Sequence, residues 1–417
     1  MKILNIHLPK SFLDLTKGHL ISQIIGAISS VLIAKIYGPS ILGVFSVFFT
    51  MSMIFSTLNT ARLECVLFLD QNNRAQQNNS IGLLGVVLGF SFLYVVLGLF
   101  MPEDVIIDYF VSKSLFYFIV LGACLNSMKM IFQNLTLLKD DYRKIKYSKI
   151  IFTVIRYVSQ FLLFYILTDH WGLVVGYLIA LIFVIIYFSK GLFFSFKGFD
   201  FVMFLQTVKN YKGLIKYAFP GDLVNTISVN IFPVLIIGAY GEKLTGNYFM
   251  SFLILSIPLS FLHSSVAPVF FKKTVVFVNE NNWGKLYSYV FLILKRVFLF
   301  LSLPLLMFTF IGEELIVFFF DEEWRNTGVF LEIFSLLFAF RVLYSPISSL
   351  EESLSKNHIS LLINIYFIFI LLGGVYFGRV YFSIFQIAKF ISIMTCLGYF
   401  ALLIYFLLIL KSKAKAF

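Results

Sequence analysis

Charged residues are scarce in this sequence. Asp, Glu, Lys and Arg together make up 13% of its 417 residues, whereas hydrophobic residues make up 60%. A soluble globular domain carries about 25% charged residues and about 45–50% apolar residues. Because a water-soluble core could not hide so much apolar surface, the composition excludes a soluble protein and indicates a membrane protein.

Cysteine is also rare. The three cysteines, Cys65, Cys124 and Cys396, lie far apart, and none belongs to a Cys-x-x-Cys or Cys/His cluster. This spacing argues against a disulfide framework and a metal site. The sequence also lacks a glycine-rich nucleotide-binding loop and a cleavable signal peptide, since the apolar run 18–36 is not followed by a small-residue cleavage site. We therefore expect no cofactor, no metal and no direct use of ATP.

Long apolar stretches fill most of the chain. There are about twelve, each about 18–28 residues long, and about 20 apolar residues span a bilayer as a helix. The sequence thus predicts an all-α polytopic membrane protein with about twelve transmembrane helices. The predicted spans are 18–36, 41–61, 81–101, 113–138, 147–167, 171–189, 214–239, 244–271, 287–311, 327–350, 358–377 and 382–410.

The basic residues set the expected orientation. The net charge of +12 would suit a nucleic-acid-binding protein, but Lys and Arg concentrate in alternate connecting loops, as in the positive-inside pattern. This places both termini in the cytoplasm and predicts no nucleic-acid partner. The largest external loop is then 312–327, which is too short to form a domain of its own.

A short motif occurs twice. Residues 37–45 and 240–248 both read Tyr-Gly, four residues, Gly, one residue and an aromatic, and each joins two predicted spans. The simplest explanation is two six-helix lobes in a parallel repeat around a central cavity, an arrangement that transporters use to hold substrate. The predicted domains are 1–197 and 214–417. The segment 198–213 between them is predicted to be an amphipathic interfacial linker or, alternatively, a plain loop.

Polar residues inside the predicted spans are the first functional candidates, because an ionisable group at membrane depth is costly unless it faces water or a partner. More of them are basic than acidic, which favours an anionic substrate. Alternatively, the cations pair with backbone carbonyls or reach the interface. Asp222 is either an ion-coupling carboxylate or the partner of a nearby cation. The candidates are Lys129, Arg156, Asp222, Asn225, His263 and Arg341.

The stretch 37–70 resembles the beginning of polysaccharide exporters, the O-antigen flippases of the Wzx type in the multidrug/oligosaccharidyl-lipid/polysaccharide (MOP) superfamily. Those proteins have a Tyr-Gly-Pro-x-x-x-Gly turn and an Ala-Arg-Tyr-Glu-like motif at the cytoplasmic end of the second helix. This sequence has the turn at 37–43 and Ala-Arg-Leu-Glu at 61–64. Leu63 replaces the usual aromatic residue, and Asp70 stands where the family often has proline.

The resemblance implies a flippase, not an enzyme, in the bacterial inner membrane. Its substrate would be an undecaprenyl-diphosphate-linked oligosaccharide, moved from the cytoplasmic to the periplasmic leaflet. A polysaccharide polymerase and a chain-length regulator are implied partners. Arg62 and Glu64 would bind the headgroup, form a gate ion pair, or only anchor the helix end. The competing functions are a drug/cation antiporter of the same superfamily, a polysaccharide polymerase, and a twelve-helix transporter of another fold.

Overall fold

A computed structural model describes residues 10–69, 72–167, 169–190, 199–354 and 356–416. Asp70 of the resemblance motif and Gly198 at the start of the predicted linker lie outside these residues. All regular structure within them is helical, and they contain no strand. The prediction of an all-α polytopic membrane protein is therefore confirmed.

Seventeen α-helices occur in the described residues. They are α1 Lys10–Thr60, α2 Val66–Leu69, α3 Asn73–Phe100, α4 Glu103–Phe110, α5 Lys113–Leu138, α6 Tyr142–Phe164, α7 Trp171–Ser189, α8 Phe201–Asn210, α9 Phe219–Asn230, α10 Phe232–Phe261, α11 Ala267–Asn279, α12 Trp283–Val297, α13 Leu303–Phe320, α14 Arg325–Ile347, α15 Leu350–Ser353, α16 Asn357–Gly378 and α17 Ile384–Ala416.

Nine helical runs in the described part of the chain are long and apolar enough to cross a membrane. This number is smaller than the twelve predicted stretches for two physical reasons. Two runs, Gly18–Thr60 and Leu214–Phe261, contain 43 and 48 residues and cover two predicted stretches each. The predicted span 147–167 falls largely in α6, whose basic residues leave it less apolar than the other long helices.

Glycine breaks the two longest helices at the repeated motif. Gly38 interrupts α1 with φ 77° and ψ 169°, and Gly241 interrupts α10 with φ 82° and ψ 171°. Essentially only glycine adopts this backbone region. The two copies of the motif thus have the same backbone geometry, which explains why both contain a glycine directly after a tyrosine.

The described chain forms two compact units. One comprises Met1–Tyr37 and Val44–Val234, and the other comprises Gly38–Gly43 and Leu235–Phe417. Helix α9 thus belongs to the first unit, which we call unit 1. Fully buried aromatic side chains lie in both cores, among them Phe48 and Tyr177 in unit 1 and Phe270 and Phe330 in the second unit, unit 2.

Two glycines of the motif pack backbone against backbone within unit 2. A side chain at Gly43 would overlap the carbonyl oxygen of Glu242, and one at Gly246 would overlap that of Pro39. The amide nitrogen of Gly246 lies 3.0 Å from the position of a β-carbon on Gly43, and the amide nitrogen of Gly43 lies 2.8 Å from the position of a β-carbon on Gly246. Only glycine therefore fits at either position.

The segment predicted as the longest external loop is mostly helix. Residues 312–327 were expected to be a loop, but α13 continues to Phe320, and a short 3₁₀ turn at Glu322–Trp324 leads into α14. That prediction is wrong because the apolar run Leu315–Phe320 extends the helix, and because Gly312 packs closely against Gly328 on α14. The connection is thus shorter than expected.

Helix α8 occupies the segment between the predicted lobes. Asp200 caps its first turn by accepting the backbone N–H of Met203, at 3.1 Å. The Asn78 side chain holds the start of α8 through two hydrogen bonds with the Asp200 backbone, of 3.0 and 2.7 Å. Phe204 is buried against Gly82 of α3. These contacts fix α8 to unit 1.

Candidate functional site

The first group of predicted site residues lies where α1 ends. Ala61 and Arg62 both have left-handed backbone angles, with φ of 46° and 65°, and they turn the chain into the 3₁₀ turn Leu63–Cys65. This turn brings the Arg62 guanidinium into an ion pair with Asp222 of α9, within unit 1. The two side chains are 40% and 36% exposed. Asp222 is therefore the partner of a cation, one of its two predicted roles.

Glu64 lies beside this ion pair but is buried, with 2% of its surface exposed. Burial raises the pKa of its carboxyl group, and a hydrogen bond from Thr60 and the charge of Arg62 lower it by less. One carboxylate oxygen, Oε2, has no hydrogen-bond partner among the described residues. Glu64 is thus a structural neighbour of the Arg62 turn and does not face an open path.

Lys129 lines a cavity inside unit 1. The cavity has a volume of about 240 Å³ and is formed by residues of α1, α5, α6 and α7. Its basic side chains are Lys129, Lys149 and His19, and no carboxylate belongs to its lining. The Lys149 ammonium group contacts Nε2 of His19, and the Lys129 ammonium group lies 3.4 Å from the Asn126 amide oxygen. The cavity is therefore positively charged and also offers neutral hydrogen-bonding groups: Ser22, Gln133, Ser148 and Thr153.

Arg156 extends the basic character along α6. It follows Lys149 by seven residues, which places both on one face of the helix. Its guanidinium lies over the rings of Phe45, Tyr157 and Tyr177, at 5.0–5.4 Å from their centroids. Its Nε atom is buried without a hydrogen-bond partner in the described structure. Cation–π contacts therefore stabilise this charge in place of a carboxylate.

Two further predicted residues come together in unit 2. Arg341 of α14 lies 5.5 Å from the centre of the Phe338 ring and within electrostatic range of His263. The imidazole of His263 is 3.4 Å from the hydroxyl of Ser345, one turn after Arg341. His263 belongs to the π-helical segment Leu262–Val266, and Pro268 follows it. Proline disrupts the regular hydrogen bonding of the preceding turn, and π-helical turns are frequent at functional sites.

Lys129 and Arg341 occupy matching positions in two helices. Helix α5 begins with Lys113 and α14 begins with Arg325, and each interior cation follows sixteen residues later. Both helices thus carry an interior cation at the same distance from a basic first residue. Neither residue forms an ion pair with a carboxylate in the described structure.

The eight predicted residues fall into three places. Arg62, Glu64 and Asp222 lie together, and Asn225 is exposed one turn further along α9. Lys129 and Arg156 form the second group, His263 and Arg341 the third. Lys149 was not among the predicted site residues, because it lies at the start of the predicted span 147–167, beside other basic residues of the preceding connection. Its seven-residue spacing from Arg156 was the signal that could have identified it.

Comparisons with known proteins agree on the fold. The structure matches a multidrug resistance MATE family transporter of the MOP superfamily in an inward-facing conformation, with 13% identity over 94% of this chain and 96% of that one and a TM-score of 0.69. It also matches a MATE protein in complex with MaL6, with 13% identity over 97% of both chains and a TM-score of 0.60.

A third match is a MOP superfamily transporter from Pyrococcus furiosus, described as having a binding pocket of reverse polarity. It is 11% identical over 97% of this chain and 96% of that one, with a TM-score of 0.56. At such identities the likeness establishes a common fold. A search of the curated proteins found no match.

The family comparison is more specific. The polysaccharide biosynthesis protein family matches residues 69–328, which is more than half of the chain. The matched region contains the Lys129 cavity helices α5, α6 and α7. The chain therefore belongs to the polysaccharide biosynthesis protein family and has the fold of MOP superfamily transporters.

Proposed function

We propose that the protein is a flippase that moves an undecaprenyl-diphosphate-linked oligosaccharide from the cytoplasmic to the periplasmic leaflet of the bacterial inner membrane. The family membership supports a role in polysaccharide synthesis, and the fold supports transport. The observation that carries the proposal is the positively charged cavity around Lys129, which lies among helices of membrane-spanning length. A drug cation would be repelled there, whereas a diphosphate would be attracted.

The proposed mechanism divides the substrate into two parts. The oligosaccharide and diphosphate need a polar path, because a charged group in hydrocarbon is costly. The polyprenyl chain is apolar and stays in the lipid. Lys129, Lys149 and Arg156 stabilise the diphosphate, and the Gln133 amide donates to its oxygens or to the sugar. The hydroxyl groups of Ser22, Ser148 and Thr153 already donate to backbone carbonyls, so their oxygens accept from the sugar hydroxyls. Alternating access of the cavity to the two leaflets completes the transfer.

The proposal includes two six-helix lobes, at 1–197 and 214–417, with residues 198–213 as an interfacial linker between them. It places both termini in the cytoplasm, as the basic loops favour. A polymerase and a chain-length regulator would act after this step.

The cavity charges provide the first experiment. Lys129→Leu and Lys149→Leu should each reduce export at least about tenfold, because losing about 1.4 kcal/mol of headgroup binding already changes an equilibrium constant that much. Lys129→Arg and Lys149→Arg should retain more export than the leucine variants. Export is measured as surface polysaccharide per inserted protein. Arg143→Leu is the matched control, since Arg143 is an exposed basic residue on α6.

The step at which synthesis of the surface polysaccharide is blocked distinguishes a flippase from a polymerase. Deletion of the gene should leave even a single repeat unit missing from the cell surface and should retain lipid-linked units in the inner leaflet. A surface core carrying one repeat unit, in a strain without another exporter, would contradict the proposal and favour a polymerase. Normal export by both leucine variants would show that the cavity does not bind the headgroup.

A further inference from the structure

An apolar groove lies between α16 and α17, within unit 2. Its volume is about 880 Å³, which is within the range of about 300–1,000 Å³ that is typical of small-molecule sites. Residues of α16, of the connection 379–383 and of α17 line it. Six of these residues are aromatic: Tyr366, Phe369, Phe377, Tyr381, Phe382 and Phe390. The groove is therefore a concave surface with mostly aromatic walls.

Glycines on α16 shape the groove. A β-carbon on Gly374 would lie 3.2 Å from Cγ1 of Ile391. A β-carbon on Gly378 would lie 2.8 Å from Cγ1 of Ile387, so α16 and α17 pack closely along this line. Gly373 lines the groove beside the line of contact, and a β-carbon there would have no atom within 4 Å. The missing side chain of Gly373 thus leaves space for a ligand.

Two hydrogen bonds fix the groove at its two ends. The Tyr366 hydroxyl of α16 donates to the backbone carbonyl of Met394 of α17, at 3.0 Å. The Tyr240 hydroxyl of α10 donates to the backbone carbonyl of Phe382 in the connection, at 3.3 Å. Each bond joins two different segments of unit 2, so the walls of the groove are held in position.

The length of the groove matches one leaflet of a bilayer. It extends along α16 from Tyr366 to Gly378, which is about 18 Å of helix at about 1.5 Å per residue. Half of the hydrocarbon core of a bilayer is about 15 Å thick. Gly378 is the last residue of the apolar run His358–Gly378, which is long enough to cross a membrane. The end of the groove at Gly378 therefore lies at the level of the lipid headgroups.

Positive charge adjoins this end of the groove. Arg379 is exposed, and its guanidinium lies 5.1 Å from the centre of the Tyr376 ring. It forms no ion pair with a carboxylate of the described residues, and the segment 357–416 contains no Asp or Glu. The side-chain oxygen of Gln386 accepts the backbone N–H and the hydroxyl of Ser383, at 3.0 and 3.3 Å. The side-chain N–H groups of Gln386 have no acceptor in the described structure and can donate to a ligand.

We propose that this groove binds one phospholipid, with an acyl chain between α16 and α17 and the phosphate group at Arg379 and Gln386. Because the surrounding lipid is as apolar as the groove, binding depends on close packing of the chain and on charge-assisted hydrogen bonds to the phosphate. The groove favours an anionic headgroup such as phosphatidylglycerol, since a zwitterionic lipid would bring an ammonium group close to Arg379.

The dimensions of the groove argue against the polyprenyl chain of the transported substrate as its occupant. An undecaprenyl chain is longer than one leaflet is thick, whereas an acyl chain spans one leaflet. The inference goes beyond the proposed function, because it assigns a lipid ligand to unit 2, whereas the Lys129 cavity belongs to unit 1.

Native mass spectrometry of the purified, full-length protein in detergent tests the headgroup contact. The wild type should retain one phosphatidylglycerol, and its Kd for phosphatidylethanolamine with the same acyl chains should be about fivefold higher. Arg379→Leu should raise the Kd for phosphatidylglycerol at least about tenfold and remove the preference for this lipid, while Arg379→Lys should raise the Kd less. Arg143→Leu is the matched control, since Arg143 is an exposed arginine on α6, and it should bind as the wild type does.

A second pair of variants tests the apolar part of the groove. Gly373→Leu places a side chain in the open space and should raise the Kd for phosphatidylglycerol at least about tenfold. Gly85→Leu is its matched control, because Gly85 is also helical with nothing within 4 Å of a new β-carbon but lies on α3. In thermal unfolding, phosphatidylglycerol should raise the midpoint temperature of the wild type and of Gly85→Leu more than that of Gly373→Leu.

These measurements separate the lipid site from the proposed function, because binding is measured without the oligosaccharide. Unchanged binding of phosphatidylglycerol by both Arg379→Leu and Gly373→Leu would overturn the site. Equal affinities of the wild type for phosphatidylglycerol and phosphatidylethanolamine would overturn the recognition of an anionic headgroup. Displacement of phosphatidylglycerol by an equal concentration of undecaprenyl phosphate would also overturn the proposal, because the groove would then hold a polyprenyl chain.

Discussion

Substitution of Gly43 and Gly246 by alanine tests whether the two backbone segments are in direct contact at these positions. In Gly43→Ala the new methyl group overlaps the Glu242 carbonyl oxygen, and in Gly246→Ala it overlaps the Pro39 carbonyl oxygen. Both obstacles are backbone atoms, so no side-chain rotation relieves them. The two helical segments must separate instead.

The magnitude follows from two opposing effects. Overpacking a tight contact costs about 1–3 kcal/mol, and the overlap with backbone places this case at the upper end. Alanine is favoured over glycine in a helix by about 1 kcal/mol. The net loss is therefore about 2 kcal/mol for each variant. With an unfolding entropy of about 2.1 cal/mol/K per residue, this loss of free energy lowers the midpoint temperature of thermal unfolding by about 2 °C in a chain of this length.

The assay is thermal unfolding of the purified protein in one detergent. Gly85→Ala is the matched control, since Gly85 is helical with nothing within 4 Å of a new β-carbon, and it should not lower the midpoint. Because both clashes are relieved by the same separation, the double variant should cost less than the sum of the single ones. Equal midpoints for Gly43→Ala, Gly246→Ala and Gly85→Ala would refute the described backbone contact.

Three further predictions concern the end of α1 and the orientation. Burial raises the pKa of Glu64, so the folded state binds this proton more tightly than the unfolded state. The stability of the folded protein should therefore fall as pH rises from the ordinary carboxyl pKa through the raised pKa. Glu64→Gln should remove that pH dependence in thermal unfolding curves, and an unchanged pH profile would contradict the prediction. A double-mutant cycle with Arg62→Ala and Asp222→Ala should give a coupling free energy of at most about 1 kcal/mol, because both side chains are partly exposed. A coupling of several kcal/mol would contradict this, because it would require an ion pair shielded from solvent. An impermeant thiol reagent added to cells should label a cysteine at Asn326 and miss one at Asn281, and the reverse pattern would overturn the orientation.

Much of the helical layout could be predicted from composition and apolar length. The predicted stretches 113–138 and 171–189 coincide with α5 and α7, since each is an uninterrupted apolar run with turn residues at its ends. The extension of α13 to Phe320 was missed because acidic residues at 313 and 314 looked like a loop. They are tolerated within the helix, where Arg325 pairs with Glu313.

The site was harder to predict because it depends on which helices meet. Sequence reasoning found Lys129 from its depth in an apolar run, but pairing it with Lys149 required the packing of α5 beside α6. The partnership of Arg62 with Asp222 joins residues 160 positions apart, which no local pattern encodes.

Direct measurement of lipid translocation tests the central claim. Purified protein is reconstituted in vesicles containing a lipid-linked oligosaccharide, and a glycosidase added outside digests the outward-facing sugars. Wild-type protein should expose the inner-leaflet pool to digestion, Arg143→Leu should do the same, and Lys129→Leu should do so at least about tenfold more slowly. A folded wild-type protein that exposes the pool no faster than protein-free vesicles would contradict it.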